Sequence, residues 1–368
     1  MAFISDNTRR VVVKVGTGVL TSGIGQVDTH RIADIADQVA GLRKRGIQVI
    51  VVSSGAILLG MGRMGLPTRP RQIAALQACA SVGQSILTNT WAKAFTPHDL
   101  TVGQLLLTRE DLRSRKRHVR ALELMEHLLA NGVVPVINEN DSISTEEIRF
   151  GDNDILAALV SSLVKADLLV ILSTAGGLVD RTRDGAIIPV VDKITPEIRA
   201  LADRTTSGPG TGGMVTKLEA AHIANQSGCG VFIGPGNQDG LIRKLIHAEA
   251  PGTFFVPRSL ALRSRKRHIA FFQTPEGTVR VDAGAVRALK ETGGSLLAKG
   301  VTAVEGSFDR GAVVSIASPD GTVFAKGLSQ YSQLHLQQVA GLSTDDIKRI
   351  FPRRKRLEVV HRDGLVLL

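Results

Sequence analysis

The chain has 368 residues, 43% hydrophobic and 21% charged, which makes two domains the starting expectation and excludes a disordered chain. No apolar run approaches about 18 residues without a charge, and Asp6, Arg9 and Arg10 interrupt the N-terminus, so neither a spanning helix nor a secretory signal is expected. Two cysteines, Cys79 and Cys229, exclude a disulfide framework or a Cys-based zinc site and point to a reducing cytoplasm, while the net charge of +11 leaves nucleic acid and small anionic substrates both open.

The first two-thirds alternate in type. Residues 11–15, 47–53, 133–138, 168–172 and 230–234 are short, β-branched and almost continuously apolar, the pattern of parallel strands covered on both faces. Between them, 31–45, 71–95, 119–130, 154–165 and 214–226 read as helices, the last with a loose period through Met214, Leu218, Ala221 and Ile223. Such alternation predicts a doubly wound, mainly parallel α/β sheet.

Four places carry candidate chemistry. In VVVKVGTG (residues 11–18) a strand runs into glycines with Lys14 near its end, which suits a phosphate cradle or an ordinary strand-to-loop turn. Ser53 and Ser54 with Gly55 follow the next strand, where parallel sheets bind ligands; a helix starting there offers free N–H groups to an anion, unless the serines merely cap it. VINEND (136–141) and FGDND (150–154) gather Asn138, Glu139, Asn140, Asp141, Asp152, Asn153 and Asp154, able to hold an ammonium and a carboxylate together or to orient lysines. Turn chemistry and a helix cap at Asn153 are the plainer account. SGPGTGGMVTK (207–217) is a glycine-rich loop opening a helix, with Lys217 placed to reach a transferring phosphoryl group. The Walker A pattern G-x4-G-K-[ST] occurs nowhere.

These parts lack a general base, and one reaction needs none. A free glutamate side chain has a pKa of about 4.3, so at neutral pH it is already an ionised nucleophile. Phosphoryl transfer to a carboxylate requires cations that hold two anions together and neutralise the developing charge. Two lysines with Mg²⁺ meet that demand, consistent with a kinase that forms an acyl phosphate.

Near residue 252 the texture changes. Proline, glycine and basic residues cluster over 251–268, and short alternating runs such as 278–282 and 312–316 follow, with glycine turns. This predicts a small β-rich domain over 265–355 after a first domain over 1–264, with 356–368 as a peripheral tail. From Ala270 onward 13 Lys and Arg stand against 10 Asp and Glu, so the basic excess is not concentrated there. LRSRKRH occurs twice, at 112–118 and 262–268, and is read as two solvated basic segments.

In this order KVGTG, VVSSGAI, VPVINEND, GDND and GTGGMVTK resemble the amino-acid kinase family, and in particular its glutamate-phosphorylating members. The run from VDAGAVRAL through GLSQYS resembles the PUA domain, here a small barrel, that those members carry. The likeness implies that Lys14 and Lys217 hold the ATP phosphates and stabilise the transferring group, organised by Asp154. It implies glutamate binding by Ser54, Asp141 and Asn153, with Asn138. It lines the nucleotide site with Lys14, Ser173, Thr174, Thr211, Gly212, Gly213, Met214, Val215, Thr216 and Lys217. ATP as co-substrate, Mg²⁺, γ-glutamyl phosphate on the way to proline, feedback inhibition by proline and a homo-oligomer are further expectations, with no membrane contact. Two segments depart from the family: STAGGLVD (173–180) where Thr-Asp is common, and RHVRA (117–121) where Asn-Ala-Arg is common. The alternatives are a kinase of the same fold acting on acetylglutamate, aspartate or a nucleotide, and an RNA-binding protein acting through the PUA-like domain.

Overall fold

The computed structural model describes residues 3–144, 152–180, 185–203, 213–247, 249–258, 266 and 268–368. The chain divides into two compact units, Met1–Ala261 and Leu262–Leu368. The junction falls among residues 259–265, which lie outside the described residues, as does most of the second LRSRKRH copy.

The first unit runs β1 (Arg10–Val15), α1 (Thr17–Leu20), β2 (Thr21–Gly23), β3 (Gln26–Val27), α2 (Thr29–Lys44), β4 (Gln48–Ser53), α3 (Ala56–Arg63), α4 (Ile73–Phe95) and β5 (Val102–Leu107). It continues through α5 (Arg109–Arg113), α6 (Arg115–Ala130), β6 (Val134–Glu139), α7 (Asp152–Leu163), β7 (Leu168–Ser173), β8 (Val179–Asp180), β9 (Ala186–Ile187) and β10 (Val190–Val191). It ends with α8 (Pro196–Asp203), α9 (Met214–Gln226), β11 (Gly230–Pro235), α10 (Leu241–Ile246) and β12 (Thr253–Phe255).

Eight strands form one sheet in the order β10-β12-β11-β7-β1-β4-β6-β5. From β11 to β5 every neighbouring pair is parallel, and β12 runs antiparallel to β11. Val11, Val13, Val15, Val49, Val51 and Val170 share a core with Ile32, Ile35 and Val39 of α2 and with Leu87, Trp91 and Phe95 of α4. Val12, Ile50, Val52, Leu169 and Ile171 point to the opposite face by the two-residue period and are also buried. Each fully buried side chain of this kind contributes about 1.5–3 kcal/mol. Burial on both faces is why these strands read as unbroken apolar runs.

The chain builds outward from β1 on one side, then returns across it to place β7 and β11 on the other. β1 is thus the switch point, and its carboxyl end is where such a sheet opens a crevice for ligands. Helices α3 and α4 close tightly beside that edge. A Cβ on Gly60 would stand 1.8 Å from the Cys79 carbonyl oxygen, and one on Gly83 would stand 1.8 Å from that of Ala56.

Several expectations need correction. β5, the hairpin of β8 and β9, and β10 and β12 at the far edge carry no continuous apolar run and were not anticipated. The first LRSRKRH copy joins α5 to α6, and its basic residues 115–117 are exposed, as a solvated segment requires, with Leu112 buried. Neither Ser53 nor Ser54 caps α3, because Gly55 is the N-cap, held at φ 104°. Asn153 does not cap α7 but lies within its first turn, since the helix begins at Asp152.

In the second unit β13 (Gly277–Val281), β14 (Val301–Gly306), β15 (Val313–Ala317), β16 (Val323–Ser329) and β17 (Val360–Leu367) form a sheet in the order β14-β13-β15-β16-β17. The segment expected to be a peripheral tail instead supplies β17, antiparallel to β16, with Val359, Val360, Leu365 and Val366 buried. The preceding basic run is partly structural. The Arg354 guanidinium lies 3.5 Å from the centroid of the Tyr331 ring, whose hydroxyl donates to the Leu357 carbonyl at 2.9 Å. Among the described residues no helix is long and apolar enough to cross a membrane.

Candidate active site

The carboxyl ends of β1, β4, β6 and β7 deliver Lys14, Ser54, Asn138 and Ser173 to one edge of the sheet. Two bonds tie the loops there: Ser54 N–H donates to the Val15 carbonyl at 3.2 Å, and Gly16 N–H to that of Leu172 at 3.1 Å. Helices α7 and α9 pack against each other and bring Asp154 and Lys217 to the same edge.

Lys14, Asp154 and Lys217 form one buried charge cluster. Lys14 Nζ lies 2.6 Å from Asp154 Oδ1, and Lys217 Nζ lies 3.2 Å from Asp154 Oδ2. Their residual exposures are 6%, 0% and 4%, so the carboxylate has no access to water and answers both cations at once. Burial pushes the Asp154 carboxyl up, but the two ammonium groups outweigh it and hold it below the usual carboxylate range. Burial lowers the Lys217 ammonium, Asp154 opposes that, and Lys14 adds to it. The result is an ionised carboxylate clamping two cations beside the crevice, a preorganised charge that need not reorient when anions arrive.

Adjoining it is a ring of amides and hydroxyls. Asn153 Nδ2 donates to Ser54 Oγ at 3.0 Å and to Asn138 Oδ1 at 3.1 Å. Glu139 N–H donates to Asn138 Oδ1 at 2.9 Å and to Asn153 Oδ1 at 3.3 Å. Of the four residues expected to meet substrate, Ser54, Asn138 and Asn153 are therefore in direct contact. Asp141 lies in the turn after β6, half-buried, in the field of Arg69, whose guanidinium burial lowers while Asp141 opposes. Ser142 and Ser144 of that turn are tied to α4 through Ser81 at 2.9 Å and Gln77 at 3.2 Å.

The nucleotide side is placed in part. Gly213 is the N-cap of α9, and its carbonyl accepts from Thr216 Oγ1 at 2.8 Å. Met214 is buried and Val215 exposed. Ser173 Oγ accepts from Ala175 N–H at 3.1 Å, closing the turn, while Thr174 is exposed beside Gly18. Thr211 and Gly212 lie outside the described residues. Among the described residues no three His, Cys, Asp or Glu side chains converge as a metal cluster.

Two residues that support the site went unread in the sequence. Trp91 donates from Nε1 to Ser53 Oγ at 2.9 Å, and Gln84 Oε1 accepts from Asn138 Nδ2 at 2.8 Å. The available signal was spacing: Gln84, Leu87 and Trp91 stand three and seven residues apart on the buried face of α4. A polar residue on an apolar helix face implies a buried partner.

A crevice at the carboxyl ends of parallel strands, with two lysines clamped on one buried carboxylate, suits a phosphoryl-transferring α/β protein. The model of the amino acid kinase family matches residues 9–235 and that of the PUA domain matches residues 277–351, and the chain belongs to the amino acid kinase family. Its curated relatives make the assignment narrower. Glutamate 5-kinase of Trichlorobacter lovleyi is 45% identical over 364 residues, 98% of this chain and 97% of that one. Glutamate 5-kinase of Moorella thermoacetica is 43% identical over 364 residues, 98% and 96% of the two chains. A carbamate kinase from Giardia lamblia, solved with AMP-PNP, is similar at a TM-score of 0.49 and 18% identity, over 69% of this chain and 100% of that one.

Proposed function

We infer that the chain transfers the γ-phosphoryl group of ATP to the side-chain carboxylate of L-glutamate, giving γ-glutamyl phosphate and ADP. The observation that carries the reading is the buried Lys14–Asp154–Lys217 cluster adjoining the Ser54–Asn153–Asn138 ring, in a chain matching glutamate 5-kinases over nearly its whole length. A carboxylate oxygen attacks the γ-phosphorus as the bond to the β-bridging oxygen breaks, and ADP leaves with that electron pair. No proton moves, so no base is required. Lys14 and Lys217 neutralise charge on the transferring group and the leaving oxygen, and Asp154 keeps them aimed. The N-terminus of α9, with Gly213 as N-cap, offers its free backbone N–H groups to the phosphates.

Mg²⁺ supplied with the nucleotide would add positive charge on the phosphates beside Lys14 and Lys217. Asp154 fits a lysine organiser better than a metal ligand, because both its oxygens face ammonium groups. Asp141 receives the substrate ammonium, and Ser54 with Asn153 receives a carboxylate. The reaction stands at the entry to proline biosynthesis in the cytoplasm, in a homo-oligomer, and proline, which shares glutamate's α-carboxylate, competes at these groups.

The test is ATP- and Mg²⁺-dependent acyl-phosphate formation trapped with hydroxylamine, comparing glutamate, aspartate and N-acetylglutamate. Turnover with glutamate alone is expected. Preference for another acceptor, or none from folded protein, overturns the reading.

A further inference from the structure

We propose that Gln84 is a positioning residue for substrate: through a buried relay of amides it fixes Ser54 as a hydrogen-bond donor toward an anionic oxygen. The proposal rests on the glutamate reading above. The relay is anchored at both ends by backbone groups, which cannot flip. At one end Thr88 Oγ1 donates to the Gln84 carbonyl at 3.0 Å. Its proton is thereby used, so toward the Gln84 amide, 3.3 Å away, it acts as acceptor. Gln84 must turn its NH₂ to Thr88 and its oxygen to Asn138, which donates from Nδ2 at 2.8 Å.

At the other end Glu139 N–H reaches the side-chain oxygens of both Asn138 and Asn153. Both amides must therefore face it with oxygen. Asn153 Nδ2 then has two hydrogens and two acceptors, Asn138 Oδ1 and Ser54 Oγ. Because Ser54 Oγ accepts from Asn153, its own hydrogen is left to donate. A hydroxyl held in that sense favours a carboxylate or phosphate oxygen and disfavours an ammonium.

Gln84 is the member of the relay that can be exchanged without touching substrate. It lies on α4, is 9% exposed, and bonds to Asn138 rather than to the crevice. Replacing it with a shape-matched apolar side chain leaves the Asn138 NH₂ buried without an acceptor. That group can escape only by flipping, which would set NH₂ against the Glu139 N–H.

The experiment compares Gln84→Met, Gln84→Glu and Thr88→Val with the parent chain in steady-state kinetics against both substrates. Fold is checked by the fluorescence of Trp91, the single tryptophan. Gln84→Met is expected to raise the glutamate KM about ten-fold or more, as an orphaned buried donor implies, with the ATP KM within about two-fold. Gln84→Glu retains an acceptor for Asn138 in either protonation state, and should recover the glutamate KM to within about three-fold of the parent. Thr88→Val, which frees the Gln84 amide to rotate, should raise the glutamate KM alone, by a smaller factor. A Gln84→Met variant with unchanged glutamate KM, or with both KM values raised alike, overturns the proposal. Should that variant not fold, Thr88→Val decides, and an unchanged glutamate KM there overturns it. A parent chain that does not turn over glutamate overturns the function reading and this proposal together; a parent that does, with variants that do not respond, overturns this proposal alone.

Discussion

Replacing Asp154 with asparagine keeps the shape of the side chain and removes its charge. In the native site that carboxylate is wholly buried and meets Lys14 at 2.6 Å and Lys217 at 3.2 Å. The variant leaves two buried ammonium groups facing one another with no counter-charge. Breaking a buried ion pair by removing one partner costs about 3–5 kcal/mol, and since one carboxylate serves two cations here the upper part of that range is expected. The loss should also depend on pH. Burial already lowers the Lys217 pKa and Asp154 is what raises it, so the variant's lysine sheds its proton sooner. A lysine whose folded pKa lies below its unfolded value makes stability rise with pH through that interval. The deficit is therefore larger at pH 6 than at pH 9. In acid the sign reverses in origin: Asp154, held below its ordinary 3.8, contributes stability above that value and loses it as pH falls through the folded pKa, so parent and variant converge. Urea unfolding followed by Trp91 fluorescence reads this cleanly, because the tryptophan is fully buried in the first unit. A deficit under about 1 kcal/mol at pH 6, or one equal at pH 6 and pH 9, would refute the reasoning.

Lys217→Ala should lower kcat about 10²–10³-fold while moving the glutamate KM little, because the lysine acts mainly on charge that develops in transfer. Steady-state kinetics decide, and a raised KM at unchanged kcat would assign Lys217 to substrate binding. Gly83→Ala sets a methyl 1.8 Å from the Ala56 carbonyl oxygen, and overpacking of about 1–3 kcal/mol should depress the unfolding temperature by several degrees. An unaltered melting curve would mean that α3 and α4 part at no cost. Both cysteines are buried and burial pushes both thiols up, so iodoacetamide at pH 8 should modify neither in the native chain and both in urea. Rapid native labelling would contradict the packing around them.

The parallel strands were legible because burial on both faces writes itself as an unbroken apolar run. β5 was not, since Gly103 and Gln104 interrupt it at the sheet edge, where Gln104 is exposed and only Leu105 and Leu107 are buried. Gly103 is there because α6 closes over it: a Cβ would approach Leu128 and Val133 at 3.1 Å. β12 has three residues and sits among prolines and glycines that read as a linker. The last strand reads as a tail in the sequence because Lys355, Arg356, Arg362 and Asp363 mask a buried stripe. The loose period of α9 has a physical cause: it is buried around most of its circumference, including Lys217, Asn225 and Gln226, so there is no polar face to set a rhythm. At the site, sequence order indicated which loops converge, yet not which way an amide would point, since orientation depends on partners far away in the chain such as Gln84 and Thr88.

The two lysines and the carboxylate that clamps them come from the first strand, the ninth helix and the seventh helix, so no continuous stretch of chain can produce the cluster. Lys14 leaves the ribosome early and must wait for Asp154, and both must wait for Lys217. Contacts that span so much sequence form late, after the entropy of closing long loops has been met by the growing sheet. The charge cluster is therefore complete only when all three segments of the first unit are in place. A chain that ends before Lys217 holds Lys14 and Asp154 without the second lysine of the cluster.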